Sequence, residues 1–177
     1  EAAVDLNRLT QKSQEALQEA QSLGVTYGHQ EIDVDHLALA LVQQADGLLP
    51  RLLARLEVPV EALRTELQRA VERRPRVAGP GVEPGKVYVT PRLQQTLVRA
   101  EDEAKRLKDE YVSVEHLVLA LLEDPATGVG KLFAQHGVTR DAFLKALVAV
   151  RGSQRVTSAS PEGAYEALDK YGVDLVA

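Results

Sequence analysis

The sequence contains no cysteine, no methionine and no tryptophan, and aromatic residues make up only 4% of its 177 positions. Without cysteine there is no disulfide framework and no thiolate metal site, and a cytoplasmic setting is expected. With five Tyr and two Phe, the chain also lacks the aromatic and β-branched alternation that a β-sandwich of this size would show. No apolar run approaches the roughly 20 residues of a membrane span, so a membrane is not an expected partner. A sustained basic face is missing too. The net charge is −5, with 21 basic and 26 acidic residues interspersed. The one basic run, Arg73-Arg74-Pro75-Arg76, falls where a helix should end, and cations there complement the helix dipole. Nucleic acid is therefore not expected either.

What remains is abundant Leu, Val and Ala, with hydrophobic residues at 45% of the chain. Leu and Ala favour helices. The chain is also long enough for one substantial core. Shifting the sequence against itself by 80 residues aligns 10–67 with 90–147 without a gap, and 15 of those 58 pairs are identical. Thr10 falls on Thr90, Leu17 on Leu97 and Ala20 on Ala100. Val34-Asp35-His36-Leu37 falls on Val114-Glu115-His116-Leu117. Most matched residues are apolar and helically spaced, as expected when each copy contributes the same core face.

Each copy reads as four helices. The first follows Thr10 or Thr90, either of which can cap it, with Pro91 at the first helical position of the second copy. Leu93, Leu97, Ala100, Ala104 and Leu107 then form one apolar stripe, matched by Ala16, Leu17, Ala20, Leu23 and Tyr27. The second helix follows Asp33 or Ser113 and is Leu-rich nearly all round, which predicts a central, buried position. A short third helix is expected over about 48–56 and 130–136, stopped by Gly137 in the second copy. The fourth runs from Pro59 or Thr139 to about Arg74 or Gly152, with Gly152 suited to a left-handed terminal position.

The fold class expected is all-α, with two tandem pseudo-symmetric four-helix repeats packed into one domain over residues 6–152. Repeat one covers 10–74 and repeat two 90–152. Residues 75–89 are rich in Pro and Gly and read as an extended crossover loop. One copy alone would be marginal, so the two should share a core, with a groove between them as the natural concave surface. Residues 153–177 read as a connector and the start of a further module, with a short helix after Ser160-Pro161.

Several motifs bear on chemistry. Gly79 to Val87 approaches a phosphate-binding loop, but Pro80 stands where the motif needs Gly, and Val87 where it needs Ser or Thr. It reads as a loop, and no cofactor is expected in this chain. His36 and His116 recur at one repeat position beside Asp35 and Glu115. Each pair could be an acid–base dyad, half of a metal site, a capping and packing element, or a polar contact for a partner. Duplication within one small domain, with no third ligand or nucleophile recurring nearby, favours capping and packing. No catalytic and no metal residues are assigned.

Arg8-Leu9-Thr10 through Glu15-Ala16-Leu17, the two Val-Asp/Glu-His-Leu helix starts, and the tail from Arg155-Val156-Thr157 to Leu175 carry a resemblance to a known family. The chain resembles the Clp N-terminal repeat family, and its tail resembles the connector of the ClpB-type disaggregase branch. That resemblance implies a mobile recognition domain on a homohexameric AAA+ chaperone, whose own ATPase modules, using ATP and magnesium, lie outside this chain. Those modules would thread unfolded or aggregated polypeptides, with a DnaK-type chaperone system acting indirectly. By position it implicates Thr10, Leu97, Asp109 and Glu115 in binding exposed hydrophobic segments. The next position, apolar in the family's groove, is His116 here, implying a more polar groove lip. The related ClpC-like reading, docking of adaptors or phosphorylated arginine, would fall on Asp35 and Glu115.

Overall fold

The computed structural model describes residues 6–45, 47–76, 87–123 and 127–152, together with Val156, Ala159 and Pro161. The phosphate-loop look-alike at 79–86 and the helix expected after Pro161 lie outside these residues. The described part is helical throughout apart from two short parallel pairings.

Four helices make up each repeat. The first repeat holds α1 (Gln11–Thr26), α2 (Val34–Gln43), α3 (Leu48–Arg55) and α4 (Val60–Glu72). The second holds α5 (Pro91–Arg106), α6 (Val114–Leu122), α7 (Gly128–Gln135) and α8 (Arg140–Arg151). Every helix of the second repeat starts 80 residues after its counterpart. The starts are fixed locally. Thr10 and Thr90 accept hydrogen bonds from the amides of Ser13 and Leu93 at 3.2 and 3.1 Å. Thr127 and Thr139 do the same for Gly130 and Ala142 at 2.9 and 3.2 Å. Thr127 thus starts α7 two residues earlier than its apolar pattern suggested.

The ends of α1, α3, α5 and α7 share one device. At the end of α1, the Gly28 amide donates to Val25 O and the His29 amide to Gly24 O, the paired bonds of a Schellman turn. The same two bonds recur at Glu57-Val58, Lys108-Asp109 and Gly137-Val138. The turn residue is left-handed each time: Gly28 (φ 74°), Glu57 (φ 58°), Lys108 (φ 59°) and Gly137 (φ 78°). Each repeat therefore has one glycine and one long charged residue in this strained region, in exchanged positions.

α2 and α6 are buried along nearly their whole length, Val34 to Val42 and Val114 to Leu121, because both are apolar nearly all round and the polar residues of their first turns, Asp35, His36, Glu115 and His116, are paired within the chain. α1 and α5 lie against them, and the repeats interlock around them. α4 packs on α7, while α3 packs on α8, the reciprocal pair of contacts. Two short pairings link the halves. β1 (Glu31–Ile32) runs parallel to β2 (Tyr88–Val89), with Ile32 opposite Val89. Leu9 bridges Val112 in parallel, with Thr10 N–H donating to Val112 O at 3.0 Å and Val112 N–H to Arg8 O at 2.7 Å. The sequence pointed to a loop over 75–89. Its last two residues instead form an edge pairing, which Pro and Gly further upstream do not obstruct.

These pairings are reciprocal. The segment entering α1 pairs with the segment entering α6, and the segment entering α5 pairs with the one entering α2. Exchanging the repeats reproduces the same set, which is the signature of a two-fold relation. Close packing accompanies it. A methyl on Gly24 would sit 2.7 Å from Cγ2 of Ile32. The corresponding residues of repeat two are Ala104 and Val112, one carbon transferred from one partner to the other.

Candidate functional site

Residues of α1 and α5 line an open groove of about 440 Å³. Its lining pairs up under the repeat: Leu9 with Val89, Gln14 with Gln94, and Leu17 with Leu97. Leu6, Gln18, Gln21 and Ile32 complete it from the first repeat. Leu9 and Ile32, each 1% exposed, form the floor where the short pairings bring the halves together. Leu97 is 8% exposed, Leu17 half-buried and Leu6 59% exposed, so apolar surface rises from floor to lip. Among the described residues the polar lining is four glutamines, with no ionised side chain. Gln14 is held in place as its side-chain amide donates to Leu9 O at 3.1 Å and Leu6 O at 3.3 Å.

Two polar clusters stand at the starts of α2 and α6, one per repeat. In repeat two, Ser113 caps α6 and its amide donates to His116 Nδ1 at 2.8 Å. With Nδ1 accepting, the ring proton sits on Nε2, which donates to Asp109 at 2.7 Å. Asp109 also receives the Val156 amide at 2.9 Å and the Arg151 guanidinium, which reaches Glu115 at 3.1 Å as well. Burial opposes the charge on Asp109, but the hydrogen bonds from His116 and Arg151 outweigh it and hold its carboxyl below the usual range. This cluster also ties the segment at Val156 onto the domain.

Repeat one builds the same frame with different atoms. Asp33 caps α2 and its amide donates to His36 Nδ1 at 3.0 Å. His36 Nε2–H must then face His29 Nδ1, 2.9 Å away, at the position Asp109 takes in the other repeat. Burial is the main reason that the His36 pKa falls to about 4; Asp35 opposes the shift and Arg74 adds to it. His29 is lowered too, chiefly by burial. Arg74 donates to Asp35 at 2.7 Å and Asp33 at 2.9 Å, and Thr90 donates to Asp33 at 3.0 Å.

Of the residues singled out in the sequence, the structure brings only Leu97 to the groove wall. Thr10 is wholly buried as the cap of α1. Asp109, Glu115 and His116 lie together in the second repeat's cluster, and His116 is 0% exposed. His116 therefore does not form a polar lip, because its two ring nitrogens are committed inward to Ser113 and Asp109. The lip's polarity comes instead from Gln14, Gln18, Gln21 and Gln94. Gln14 and Gln94 were detectable as an identical polar pair among mostly apolar matches. Asp35 and Glu115 each already engage an arginine of this chain, Arg74 and Arg151. Among the described residues no cluster of three or more His, Asp or Glu is placed to hold a metal, and no helix is long and apolar enough to cross a membrane.

The Clp repeat (R) N-terminal domain family matches residues 8–136. The chaperone protein ClpB of Nitratidesulfovibrio vulgaris is 52% identical over 174 residues, covering 98% of this chain and 20% of that protein. The chain thus spans about a fifth of the length of its curated relatives. Among solved structures, the Hsp104 N-terminal domain from Candida albicans shares the fold at a TM-score of 0.74 and 23% identity, covering 87% of this chain and 98% of that one. A ClpV N-domain solved with a VipB peptide aligns at a TM-score of 0.65 and 18% identity, covering 84% of this chain and 92% of that one.

Proposed function

We propose, for a chain that belongs to the Clp repeat (R) N-terminal domain family, that the groove between α1 and α5 receives exposed hydrophobic segments of unfolded or aggregated polypeptides. The observation that carries this reading is the groove's composition: apolar floor and walls, an uncharged glutamine lip, and Leu97 at its side. Unfolded clients share exposed apolar side chains rather than a sequence, so a shallow receptor of this kind suits them. The peptide held by the related ClpV N-domain supports the idea that this fold can serve as a docking platform. In the longer ClpB-type protein, the segment after 152 would lead to ATPase modules that thread the captured chain, as a cytoplasmic homohexamer assisted by a DnaK-type system.

Thr10, Asp109, Glu115 and His116 would then act indirectly, by fixing the helices that form the walls. Burying two or three client side chains yields a few kcal/mol at about 25 cal/mol per Å², less the cost of ordering them. Single-site binding is therefore weak, and several copies on one assembly would raise avidity. The test is titration of unfolded casein against the chain and against Leu97→Asp, with Leu17→Asp as a half-buried companion. At least about fivefold weaker binding, with helical content retained, is expected, a loss of about 1 kcal/mol. Unchanged affinity in both folded variants would remove the groove as the site.

Docking of phosphorylated arginine at Asp35 and Glu115 is the competing reading. A ligand guanidinium there would have to displace Arg74 or Arg151 from ion pairs already formed. Stoichiometric phosphoarginine binding in calorimetry would overturn the preference for the groove.

A further inference from the structure

We infer that the groove accepts an extended, uncharged apolar segment in either chain direction, so that N-to-C and C-to-N orientations are bound with comparable affinity. This rests on the reading of the groove as a client site, and concerns how a client lies in it. Leu9 and Val89, Gln14 and Gln94, and Leu17 and Leu97 are repeat counterparts, and both members of each pair line the same groove. A surface shared by counterparts must contain the axis that exchanges them. The reciprocal pairings, Leu9 with Val112 and Val89 with Ile32, make that operation a two-fold.

The axis rises from the groove floor, so it stands across any segment lying along the groove. Rotation about it exchanges Leu9 with Val89, Gln14 with Gln94 and Leu17 with Leu97, and reverses the segment. At the three paired positions the client therefore meets a Leu or Val wall and a Gln whichever end enters first.

Polarity of the lining decides the occupant. A peptide backbone has a direction, and a receptor reads that direction through donors and acceptors of fixed sense. Here the polar lining consists of Gln side chains, each carrying both an NH2 donor and a carbonyl acceptor. Gln18, Gln21 and Gln94 can serve an amide or a carbonyl alike, whereas Gln14, its NH2 held by Leu6 O and Leu9 O, offers its carbonyl as an acceptor. Among the described residues no ionised side chain lines the groove to select a charged residue at one end. A charged client side chain would lose hydration there without gaining an opposite charge, so an uncharged segment fits best. The two ends are not identical: Gln18 and Gln21 correspond to Val98 and Glu101 outside the lining. A modest preference between orientations, within about tenfold, is expected from that difference.

The chain has no cysteine, so a single introduced thiol is unique. Gln14→Cys and Gln94→Cys place it at two counterpart positions. Each variant is equilibrated with a Val- and Leu-rich peptide, acetylated and amidated, whose cysteine at the first or the last residue is supplied as a mixed disulfide with a small thiol; attack by the protein thiolate joins protein to peptide and releases the small thiol. Each variant is expected to capture both peptides, with yields within about tenfold of each other. Capture of one peptide end by Gln14→Cys and only the opposite end by Gln94→Cys would overturn two-way binding while leaving the groove as the client site. No capture by either variant, with the unmodified chain still binding the peptide, would place the client elsewhere and overturn both readings. Loss of peptide binding by the unmodified chain would do the same.

Discussion

At the scale of single residues, the repeat supplies its own comparison for nearly every strained position. Gly24 lies so close to Ile32 that an added methyl would overlap Cγ2 at 2.7 Å, and both residues belong to packed elements that cannot simply withdraw. Gly24→Ala should lower stability by about 1–3 kcal/mol in urea unfolding. Adding Ile32→Val, which reproduces the Ala104/Val112 pairing of the other repeat, should recover part of that loss. No recovery would mean that the halves accommodate volume differently. The left-handed turns give a second comparison. Glu57 and Lys108 hold φ values of 58° and 59° where their counterparts Gly137 and Gly28 are glycine. Relief of side-chain strain exceeds the added freedom of the unfolded chain, so Glu57→Gly and Lys108→Gly should each raise stability by about 0.5–1 kcal/mol. Gly137→Ala should cost a similar amount through backbone strain alone, because its added methyl meets no atom within 4 Å. Thermal melts of the three variants check the signs.

At the scale of elements, the helix starts were legible because their signals are local: a Thr, Asp or Ser cap followed by a 3.6-residue apolar period. The recurrence of His36 and His116 as reciprocal caps of α2 and α6 was likewise readable from the repeat. The parallel pairings were not. Two-residue strands carry no periodicity, and their register is set by helices that dock them together. Arg151 and Val156 escaped notice as partners of Asp109 for the same reason, since a contact across 42 or 47 residues leaves no local trace. Within the candidate site, Leu97 was reachable by resemblance, whereas the glutamine lip became meaningful only once α1 and α5 were seen facing one groove. The buried His29–His36 pair makes α2 sensitive to acid. Above pH 6.5 the folded and unfolded chains are both neutral at His36, and stability is full. As pH falls the unfolded chain takes up a proton that the folded chain refuses until about pH 4. Stability should therefore drop across that window by up to about 3 kcal/mol. His29, lowered in the same direction, adds to the slope. His36→Gln keeps an acceptor for the Asp33 amide and should flatten the profile in chemical denaturation. An unaltered slope in that variant would assign the acid sensitivity elsewhere.

At the scale of the whole molecule, neither repeat closes its own surface. Ile32 needs Val89, Leu9 needs Val112, and α4 and α3 need α7 and α8. A fragment of residues 6–76 should thus show little helix by circular dichroism. Mixed with residues 87–161, it should regain helical signal with a midpoint that moves with fragment concentration. Full helicity of the first fragment alone would show that the halves are independent units. The chain solves by covalent attachment what two separate molecules would solve by meeting. The linking segment sets the local abundance of each half around the other, so the folded form survives dilution that would part an equivalent dimer.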